Sequence, residues 1–183
     1  MKEFYTIDVA GLKRDLPLCP LSDDLYIGAF VIFGDVELTE VSAKALLDKA
    51  PDFDILVTAE SKGIPLAHEM ARQSGKNTYV LARKAPKLYM KNVIKVEVKS
   101  ITTAKVQTLY IDEEDEKKLR GKRVLIVDDD ADLSAIVARY LESEGFAVMI
   151  LAEGDAIGLP GISYVQKLPL FDRNGDPIPV KED

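Results

Sequence analysis

Short runs of β-branched and other apolar residues alternate along the chain with segments in which apolar residues recur every three or four positions. The apolar runs predict buried strands at residues 53–58, 78–82, 123–127 and 147–151. The helical spacing predicts helices at residues 38–49, 65–73 and 132–144. Strands that alternate with helices are typical of a parallel sheet with helical crossover connections. We therefore predict an α/β fold with a mostly parallel, twisted sheet flanked by helices.

The remaining stretches predict smaller elements around that sheet. Residues 91–110 alternate in short runs that predict a β-hairpin or a long, flexible and mobile excursion. The acidic stretch 112–118 predicts a solvated turn. Ser163–Val165 is a candidate edge strand, and Asn174–Gly175 is typical of a turn. No feature marks a second domain, so we expect the whole 183-residue chain to form a single domain.

Composition narrows the classes of function. With 24 Lys and Arg against 31 Asp and Glu, the net charge of −7 has the wrong sign for a protein that binds mainly nucleic acid. Cys19 is the only cysteine and His68 the only histidine, which excludes an internal disulfide and zinc sites rich in His or Cys. No apolar run approaches the ~20 residues of a membrane span, and the first residues lack a signal-peptide pattern. We expect no membrane partner and a cytoplasmic location.

The segments that follow three of the predicted strands carry the candidate chemistry. In open α/β sheets, ligands bind beyond the carboxyl ends of the strands. After the strand at 53–58 comes the loop ESKG, from Glu60 to Gly63, with a flexible glycine, a lysine and backbone N–H groups that lead into a helix. Such a loop suits an anionic group. An ordinary connecting turn has a similar composition, so that alternative stays open.

Positive charge follows the strand at 78–82. Arg83, Lys84 and Lys87 lie within five residues of one another in a protein of net negative charge. A local basic patch of this kind suits a phosphorylated ligand. Taken alone, such a cluster is more often a solvated face of the protein.

Two carboxylates, Asp128 and Asp129, come directly after the strongest strand, at 123–127. Burying an unpaired charge is expensive, so a carboxylate pair in this place must be solvated, paired, or used to hold sugar hydroxyls or a divalent metal. These two residues are the best functional candidates. The alternative is that one carboxylate caps the next helix, and this interpretation fits Asp132 better than the pair.

Six segments of the chain, taken in order, resemble the type I phosphoribosyltransferases, particularly the adenine phosphoribosyltransferase branch. They are FGDVEL, VTAESKG, VLARKAPK, KRVLIVDD, LAEGDA and KLPLF. The resemblance extends from Gly34 to Pro177. It implies an enzyme that transfers phosphoribose from phosphoribosyl diphosphate (PRPP) to a purine base, adenine or a similar one, and releases pyrophosphate. Mg²⁺ is the implied cofactor, PRPP and a nucleobase are the implied ligands, and a homodimer is the implied assembly.

The resemblance also implies roles for the candidate residues. Pyrophosphate would be bound by the loop and the basic strand end, that is by Glu60, Ser61, Lys62, Gly63, Arg83, Lys84 and Lys87. The ribose hydroxyls of PRPP would contact Asp128 and Asp129, which would also meet Mg²⁺ indirectly, through ligand or water. The flexible excursion, with Ser100, Thr102 and Thr103, would close over the reactants. No residue in the excursion matches the family's catalytic Glu, so the catalytic residue stays unassigned.

Isolated aromatic residues and the histidine add less. The resemblance also implies a small hood, for which residues 1–33 are the candidate segment, and Phe30 and Phe33 of this hood segment are candidates for stacking on a planar base. Tyr89 and Met90 are expected to pack rather than to contact a base. We expect a surface or packing role for His68, because a general base needs a partner within reach.

The chain departs from the family pattern directly after the acidic pair. The family has a turn rich in Thr and Gly that binds the 5′-phosphate, whereas this chain continues DADLSA, with neither residue type. Asp130 and Asp132 would face a phosphate dianion, and two like unit charges ~5 Å apart repel by about 3 kcal/mol at an effective dielectric of ~20. The alternative function is therefore a non-catalytic ligand-binding or regulatory protein that keeps the fold and has lost the 5′-phosphate loop.

A second resemblance covers Lys122 to Val148, which is similar to the first strand and helix of a response-regulator receiver domain. In receivers such carboxylates hold Mg²⁺ beside a phospho-accepting Asp. A receiver is a five-stranded unit, however, and too few residues follow Gly121 to supply its remaining strands and helices. We interpret the segment as a receiver-like stretch inside a phosphoribosyltransferase fold.

Overall fold

The computed structural model describes residues 3–99, 106–128, 137–138, 141–142, 147–152, 170–172, 174–176 and 178. The strands in these ranges are β1 (Phe4–Val9), β2 (Leu12–Pro20), β3 (Tyr26–Gly28), β4 (Ile55–Ala59), β5 (Val80–Ala82), β6 (Ile94–Lys99), β7 (Val106–Ile111), β8 (Arg123–Asp128), β9 (Ala147–Ala152) and β10 (Leu170–Phe171). The helices with defined bounds are α1 (Val36–Leu47), α2 (Gly63–Gln73) and α3 (Glu113–Leu119). Among the residues described, no helix is long and apolar enough to cross a membrane.

The central sheet is parallel, as the sequence predicts. Its strand order is β5-β4-β8-β9, and each neighbouring pair runs in the same direction. Val57 of β4 lies opposite Val80 of β5 on one side and opposite Ile126 of β8 on the other. All five residues of β4 are buried. Because parallel strands are covered on both faces, they show continuous apolar runs rather than alternation, and this made them predictable.

Apolar side chains pack against both faces of this sheet. Leu56 of β4 and Val127 of β8 pack with α1, α2 and the strands near the N-terminus. Their neighbours Val57 and Ile126 point to the opposite face, where they pack with residues of β7 and α3 and with Leu141. The protein therefore has three layers, and the central sheet lies between two apolar clusters.

An antiparallel sheet is built from β1, β2, β3 and β10 in that order. The two-residue turn Ala10–Gly11 joins β1 to β2, and both residues have positive φ, 51° and 87°, as tight hairpin turns that match the strand twist require. Leu170 of β10 lies opposite Ile27 of β3, so a segment near the C-terminus completes the sheet. The predicted hood segment, residues 1–33, thus contains three strands, and its role over a ligand stays a prediction.

An ion-pair cluster joins this antiparallel sheet to α1, which begins at Val36 rather than at the predicted Leu38. Asp35 caps the helix, since its Oδ1 accepts a hydrogen bond from the Leu38 N–H at 3.0 Å. Arg14 of β2 donates from Nε to Asp35 Oδ2 at 2.6 Å and from Nη2 to Glu37 at 2.8 Å. The Arg14 guanidinium and the Leu38 N–H hold the pKa of Asp35 below its ordinary value.

The acidic stretch 112–118, predicted as a solvated turn, lies almost entirely in α3. Asp112 caps the helix by accepting a hydrogen bond from the Asp115 N–H at 2.9 Å. Four acidic residues occupy the first turn, and Lys117 and Lys118 lie in the last turn, so both ends suit the helix dipole. The prediction was wrong because charged residues dominate this helix and Leu119 is its single buried residue. The sequence therefore shows no apolar periodicity that would predict a helix.

The β-hairpin predicted for residues 91–110 is confirmed. β6 and β7 pair in antiparallel register along their whole lengths. Reciprocal backbone hydrogen bonds of 2.8 Å between Arg83 and Tyr110 join β7 to the residue after β5. The predicted loop residues Ser100, Thr102 and Thr103 fall in the connection between β6 and β7, outside the described residues.

The last third of the chain is described in parts. β9 confirms the final strand of the predicted sheet. Val137, Ala138 and Leu141 are helical and buried, in agreement with the helix predicted there. The predicted turn at Asn174–Gly175 is confirmed by its backbone hydrogen bonds. The candidate edge strand Ser163–Val165 lies outside the described residues.

Candidate functional site at the carboxyl end of the sheet

The carboxyl ends of β4, β5 and β8 meet at one end of the central sheet, as predicted. Glu60, which follows β4, donates its backbone N–H to the carbonyl of Ala82 at the end of β5, at 2.9 Å. Asp128, the last residue of β8, accepts a hydrogen bond from the Ala59 N–H through Oδ2, also at 2.9 Å. These two bonds bring the three candidate segments into one site.

Asp128 is buried, with 4% of its surface exposed. A buried carboxylate must be paired or hydrogen-bonded, and the bond from Ala59 meets part of that requirement. Asp128 therefore holds the end of β8 against the end of β4, whatever ligand it contacts. Its predicted partner Asp129 lies outside the described residues, as do Asp130 and Asp132.

The loop from Glu60 to Gly63 leads directly into α2, which begins at Gly63, two residues before the predicted start. Lys62 occupies the N-cap position, and its side chain makes no capping hydrogen bond. The Glu60–Ser61 peptide bond is cis. Pro65 lies in the first turn, where a missing N–H costs nothing. The N–H groups at this helix start thus receive no cap from the Lys62 side chain and, with the helix dipole, suit an anion.

Gly63 lies unusually close to the two strands beneath it. A Cβ placed on Gly63 would be 2.1 Å from Thr58 Oγ1 and 3.2 Å from the carbonyl oxygen of Val127. No side chain other than hydrogen fits there, so this glycine lets α2 start directly against the ends of β4 and β8. The Thr58 hydroxyl is fully buried and finds no hydrogen-bond partner in the described structure. An orphaned buried hydroxyl is uncommon and calls for an explanation.

Arg83 and Glu60 face each other across the ends of β4 and β5. Glu60 Oε1 lies 3.4 Å from an Nη of Arg83, and Glu60 Oε2 accepts a hydrogen bond from the Lys84 N–H at 3.0 Å. Arg83 Nε is buried and has no partner among the residues described. One carboxylate therefore neutralises the arginine and also occupies a backbone donor of the basic segment.

The other basic residues of the predicted site differ in exposure. Lys62 and Lys84 are exposed, whereas Lys87 is half-buried. Within the described ranges, neither Lys84 nor Lys87 makes a salt bridge. Together with Arg83 they put positive charge at the end of the sheet where α2 also presents its positive dipole end.

The described residues do not form a metal site by themselves. No three His, Cys, Asp or Glu side chains among them come close enough together to hold a cation. Asp128 is the only described carboxylate of the predicted pair, and Glu60 is engaged with Arg83 and Lys84. This donor set fits Mg²⁺ only if a phosphorylated ligand supplies most of the oxygen atoms around the cation.

His68 is exposed on α2, and its ring makes an edge contact with Tyr79 at a centroid distance of 6.4 Å. This arrangement agrees with the surface or packing role predicted for it. An open cavity of about 480 Å³ lies beside it, between α1 and α2. Two carboxylates in the cavity wall, Asp35 and Glu69, are paired with arginines, and the bond from Arg72 lowers the pKa of Glu69 to about 2.

The aromatic candidates separate into packed and exposed rings. Phe30 is partly buried against the core, whereas Phe33 is half exposed. Tyr89 is 68% exposed, so the expectation that it packs is wrong. The physical reason is that Tyr89 lies in the connection between β5 and β6, outside both strands, in a local turn where Met90 Sδ accepts a hydrogen bond from the Lys87 N–H.

Comparison with known proteins gives a result at the level of structure. No family model matches the sequence, and neither does any curated protein. Adenine phosphoribosyltransferase from Thermoanaerobacter pseudethanolicus superposes with a TM-score of 0.52 at 20% identity, covering 82% of each chain. APRTase from Giardia lamblia gives 0.54 at 22% identity, covering 81% of this chain and 79% of its own. The chain has a type I phosphoribosyltransferase-like fold.

The adenine phosphoribosyltransferase of Saccharomyces cerevisiae is similar to the same extent, with a TM-score of 0.50 at 19% identity over 81% of this chain and 80% of its own.

The receiver-like stretch from Lys122 to Val148 contains the strand β8. β8 lies inside the parallel sheet, between β4 and β9. The interpretation of Lys122 to Val148 as a receiver-like stretch within this fold is therefore consistent with the topology.

Two features of the site in this phosphoribosyltransferase-like fold were missed from the sequence. Thr58 is a polar residue in an otherwise apolar buried strand, ILVTA, which is a signal that could have singled it out. The pairing of Glu60 with Arg83 had no local signal, because the two residues are far apart in the chain and meet only when β4 and β5 pair.

Proposed function

We propose that this protein transfers phosphoribose from PRPP to a purine base, adenine or a close relative, and releases pyrophosphate. The observation that carries the proposal is that two segments suited to an anion are joined at the carboxyl end of the sheet: Glu60, in the loop before α2, contacts Arg83 and the Lys84 N–H of the basic strand end. Structures of similar fold support the choice of ligand class. The APRTase from Giardia lamblia was solved with 9-deazaadenine, and the Saccharomyces cerevisiae enzyme with adenine and an imino-altritol bisphosphate.

In this proposal the leaving pyrophosphate is held by fixed dipoles and charges. The backbone N–H groups of Ser61, Lys62 and Gly63 bind it in this scheme, since the Glu60 N–H is already bonded to the Ala82 carbonyl. Arg83, Lys84 and Lys87 supply positive charge from the next strand end. Donors that are in place before the reaction stabilise the charge that develops on the leaving group without reorganisation. No covalent nucleophile is needed.

Asp128 and Asp129 orient the ribose through its hydroxyl groups in this scheme. Asp128 and Asp129 would hold Mg²⁺ indirectly, through ligand or water, and the cation would supply positive charge beside the pyrophosphate. The connection with Ser100, Thr102 and Thr103 closes over the reactants. A cytoplasmic location and a homodimer belong to the same proposal, and light scattering of the purified protein tests the dimer.

Calorimetric titration of PRPP with Mg²⁺ into the purified protein tests the proposal, with ribose 5-phosphate and pyrophosphate titrated separately. We expect micromolar binding of PRPP, followed by nucleotide formation when adenine and other bases are added. Absence of nucleotide from every common purine and pyrimidine base would refute the transferase reaction.

A second function is favoured by one observation in the sequence. Asp130 and Asp132 stand where the family places its Thr- and Gly-rich 5′-phosphate turn. A binding or regulatory protein with this fold would keep the pyrophosphate loop and lose affinity for the 5′-phosphate. Binding of pyrophosphate without binding of ribose 5-phosphate or PRPP would support this second function over the first.

A further inference from the structure

The carboxylate of Glu60 contacts two donors that also suit an anionic ligand. Its Oε2 accepts a hydrogen bond from the Lys84 N–H at 3.0 Å, and its Oε1 lies 3.4 Å from an Nη of Arg83. A phosphate oxygen would seek the same two donors, a backbone N–H and a guanidinium. Ligand and side chain therefore compete for the same positions.

Arg83 is only partly satisfied by this contact. The distance of 3.4 Å is long for a charge-assisted hydrogen bond, which is normally about 2.7–2.9 Å. Its Nε is buried and has no partner in the part of the chain that is described. Both side chains are only about a quarter exposed, 24% for Arg83 and 25% for Glu60, so water screens the pair less than it would at a fully exposed site. An arginine held in this way is available for a stronger, bidentate acceptor.

We propose that Glu60 is an anionic placeholder, which neutralises Arg83 and covers the Lys84 N–H until pyrophosphate, or the diphosphate of PRPP, displaces it. The inference rests on the proposed function and adds a regulatory element to its site. When the ligand binds, its oxygens take over both donors and the Glu60 side chain turns away. When pyrophosphate leaves, Glu60 returns, so the positive site is never left uncompensated. Glu60 thus weakens ligand affinity and promotes product release.

Titration of pyrophosphate into Glu60→Gln tests the placeholder directly. The glutamine side-chain oxygen still accepts from the Lys84 N–H, so the local structure is kept while the competing charge is removed. We expect pyrophosphate to bind about fivefold more tightly, or better, than to the wild type. Glu116→Gln is the matched control, because Glu116 also pairs with an arginine, Arg120, in α3 near the amino end of β8. It removes the same net charge and should leave the affinity unchanged.

A second variant shows whether the gain acts through Arg83. In an Arg83→Lys background the planar, bidentate guanidinium is missing, so pyrophosphate should bind more weakly, and adding Glu60→Gln should give less than half of the gain seen with Arg83 present. In the wild type, the Arg83 Nε–H signal in NMR spectra should shift on addition of pyrophosphate. This measurement needs no substitution and holds even if a variant fails to fold.

The outcomes separate this inference from the proposed function. If the wild type binds pyrophosphate and Glu60→Gln binds it equally well or more weakly, the placeholder is refuted and the transferase proposal stands. The same holds if pyrophosphate binds without moving the Arg83 Nε–H signal. If Glu60→Gln gains pyrophosphate affinity while no nucleotide is formed by any variant, the placeholder is supported and the transferase is refuted. If neither protein binds pyrophosphate, both are refuted.

Discussion

The two ends of the central sheet are held together in different ways. At the amino end, the Asp54 N–H donates to the Arg123 carbonyl at 2.9 Å, and the Asp54 carboxylate accepts from the Arg123 backbone N–H at 2.8 Å and from the Arg123 guanidinium at 3.1 and 3.2 Å. At the carboxyl end, the contact of Arg83 with Glu60 is longer, at 3.4 Å. The buried polar side-chain atoms that lack a partner in the described structure, Thr58 Oγ1 and Arg83 Nε, also lie at this end.

This difference fits the proposal that the carboxyl end binds a ligand, whereas the contacts at the amino end contribute to stability. Proteins pair nearly all buried polar groups, because an unpaired one costs about 1–3 kcal/mol. Ligand-binding sites keep some unpaired polar groups for their function, and this lowers the free energy of unfolding. The comparison therefore predicts which substitutions disturb binding, which disturb folding, and which improve folding at the expense of binding.

Gly63→Ala should have the largest effect, because it closes the contact between α2 and the strand ends. The added Cβ would meet Thr58 Oγ1 at 2.1 Å, and overpacking of this kind costs about 1–3 kcal/mol. Moving α2 away to relieve the clash would also remove its N–H groups from the anion site. We expect a lower Tm, by about 2–4 °C per kcal/mol, and loss of pyrophosphate binding. Thermal unfolding and calorimetry measure the two effects.

The control for Gly63→Ala is the same change combined with Thr58→Ala. Without the Thr58 side chain oxygen, the remaining contacts of the new Cβ are 3.2 Å or longer, so the double variant should recover part of the lost stability. Equal stability of Gly63→Ala and the wild type would contradict the close approach that the fold requires here.

Asp128→Ala should have the next largest effect. It leaves the buried Ala59 N–H without its acceptor, which costs about 1–3 kcal/mol in the free energy of unfolding. Asp128→Asn keeps an oxygen acceptor and should lose less stability, while PRPP affinity should fall in both variants if the charge contacts the ribose. Urea unfolding and calorimetry distinguish the two roles. Equal stability of the alanine variant and the wild type would show that the bond to Ala59 does not hold the strand ends together.

Much of the fold was predictable because its signals are local. β4 and β8 are continuous apolar runs, and the hairpin of β6 and β7 alternates clearly along the sequence. α3 was not predicted, because acidic residues that cap a helix also fit a solvated turn. The strands of residues 1–33 were not predicted either, since strands with few buried positions carry a weak pattern.

The site was predictable as a set of segments and not as a set of contacts. The topological rule for parallel sheets brings the segments after β4, β5 and β8 together, so Glu60, Arg83 and Asp128 could be grouped from the sequence. Which donor meets which acceptor depends on strand register and on the close approach at Gly63. The role of Glu60 as a partner of Arg83, and the unpaired hydroxyl of Thr58, appear only when these distances are known.

Thr58→Val sharpens the comparison because it should stabilise the protein. It removes a buried hydroxyl that has no partner and keeps the shape of the side chain, so the free energy of unfolding should rise by about 1 kcal/mol. Thr58→Ser keeps the hydroxyl and should show no such rise. Urea unfolding of the three proteins provides the measurement. A valine variant less stable than the wild type would mean that the Thr58 hydroxyl has a hydrogen-bond partner. The carboxyl end would then have no unpaired polar group at this residue.

Asp54→Asn, at the amino end, should have the smallest effect, because the ion pair with Arg123 is exposed to solvent. Hydrogen bonds from Arg123 lower the pKa of Asp54 from its ordinary 3.8 to about 2. A lowered pKa contributes stability above the ordinary value, and this contribution disappears as the pH falls through the folded-state value. The variant should therefore have a slightly lower Tm at pH 7, and the difference from the wild type should vanish between about pH 4 and pH 2. Pyrophosphate affinity should not change. A loss of affinity would show that the two ends of the sheet are coupled, so that stability could not be assigned to one end and binding to the other.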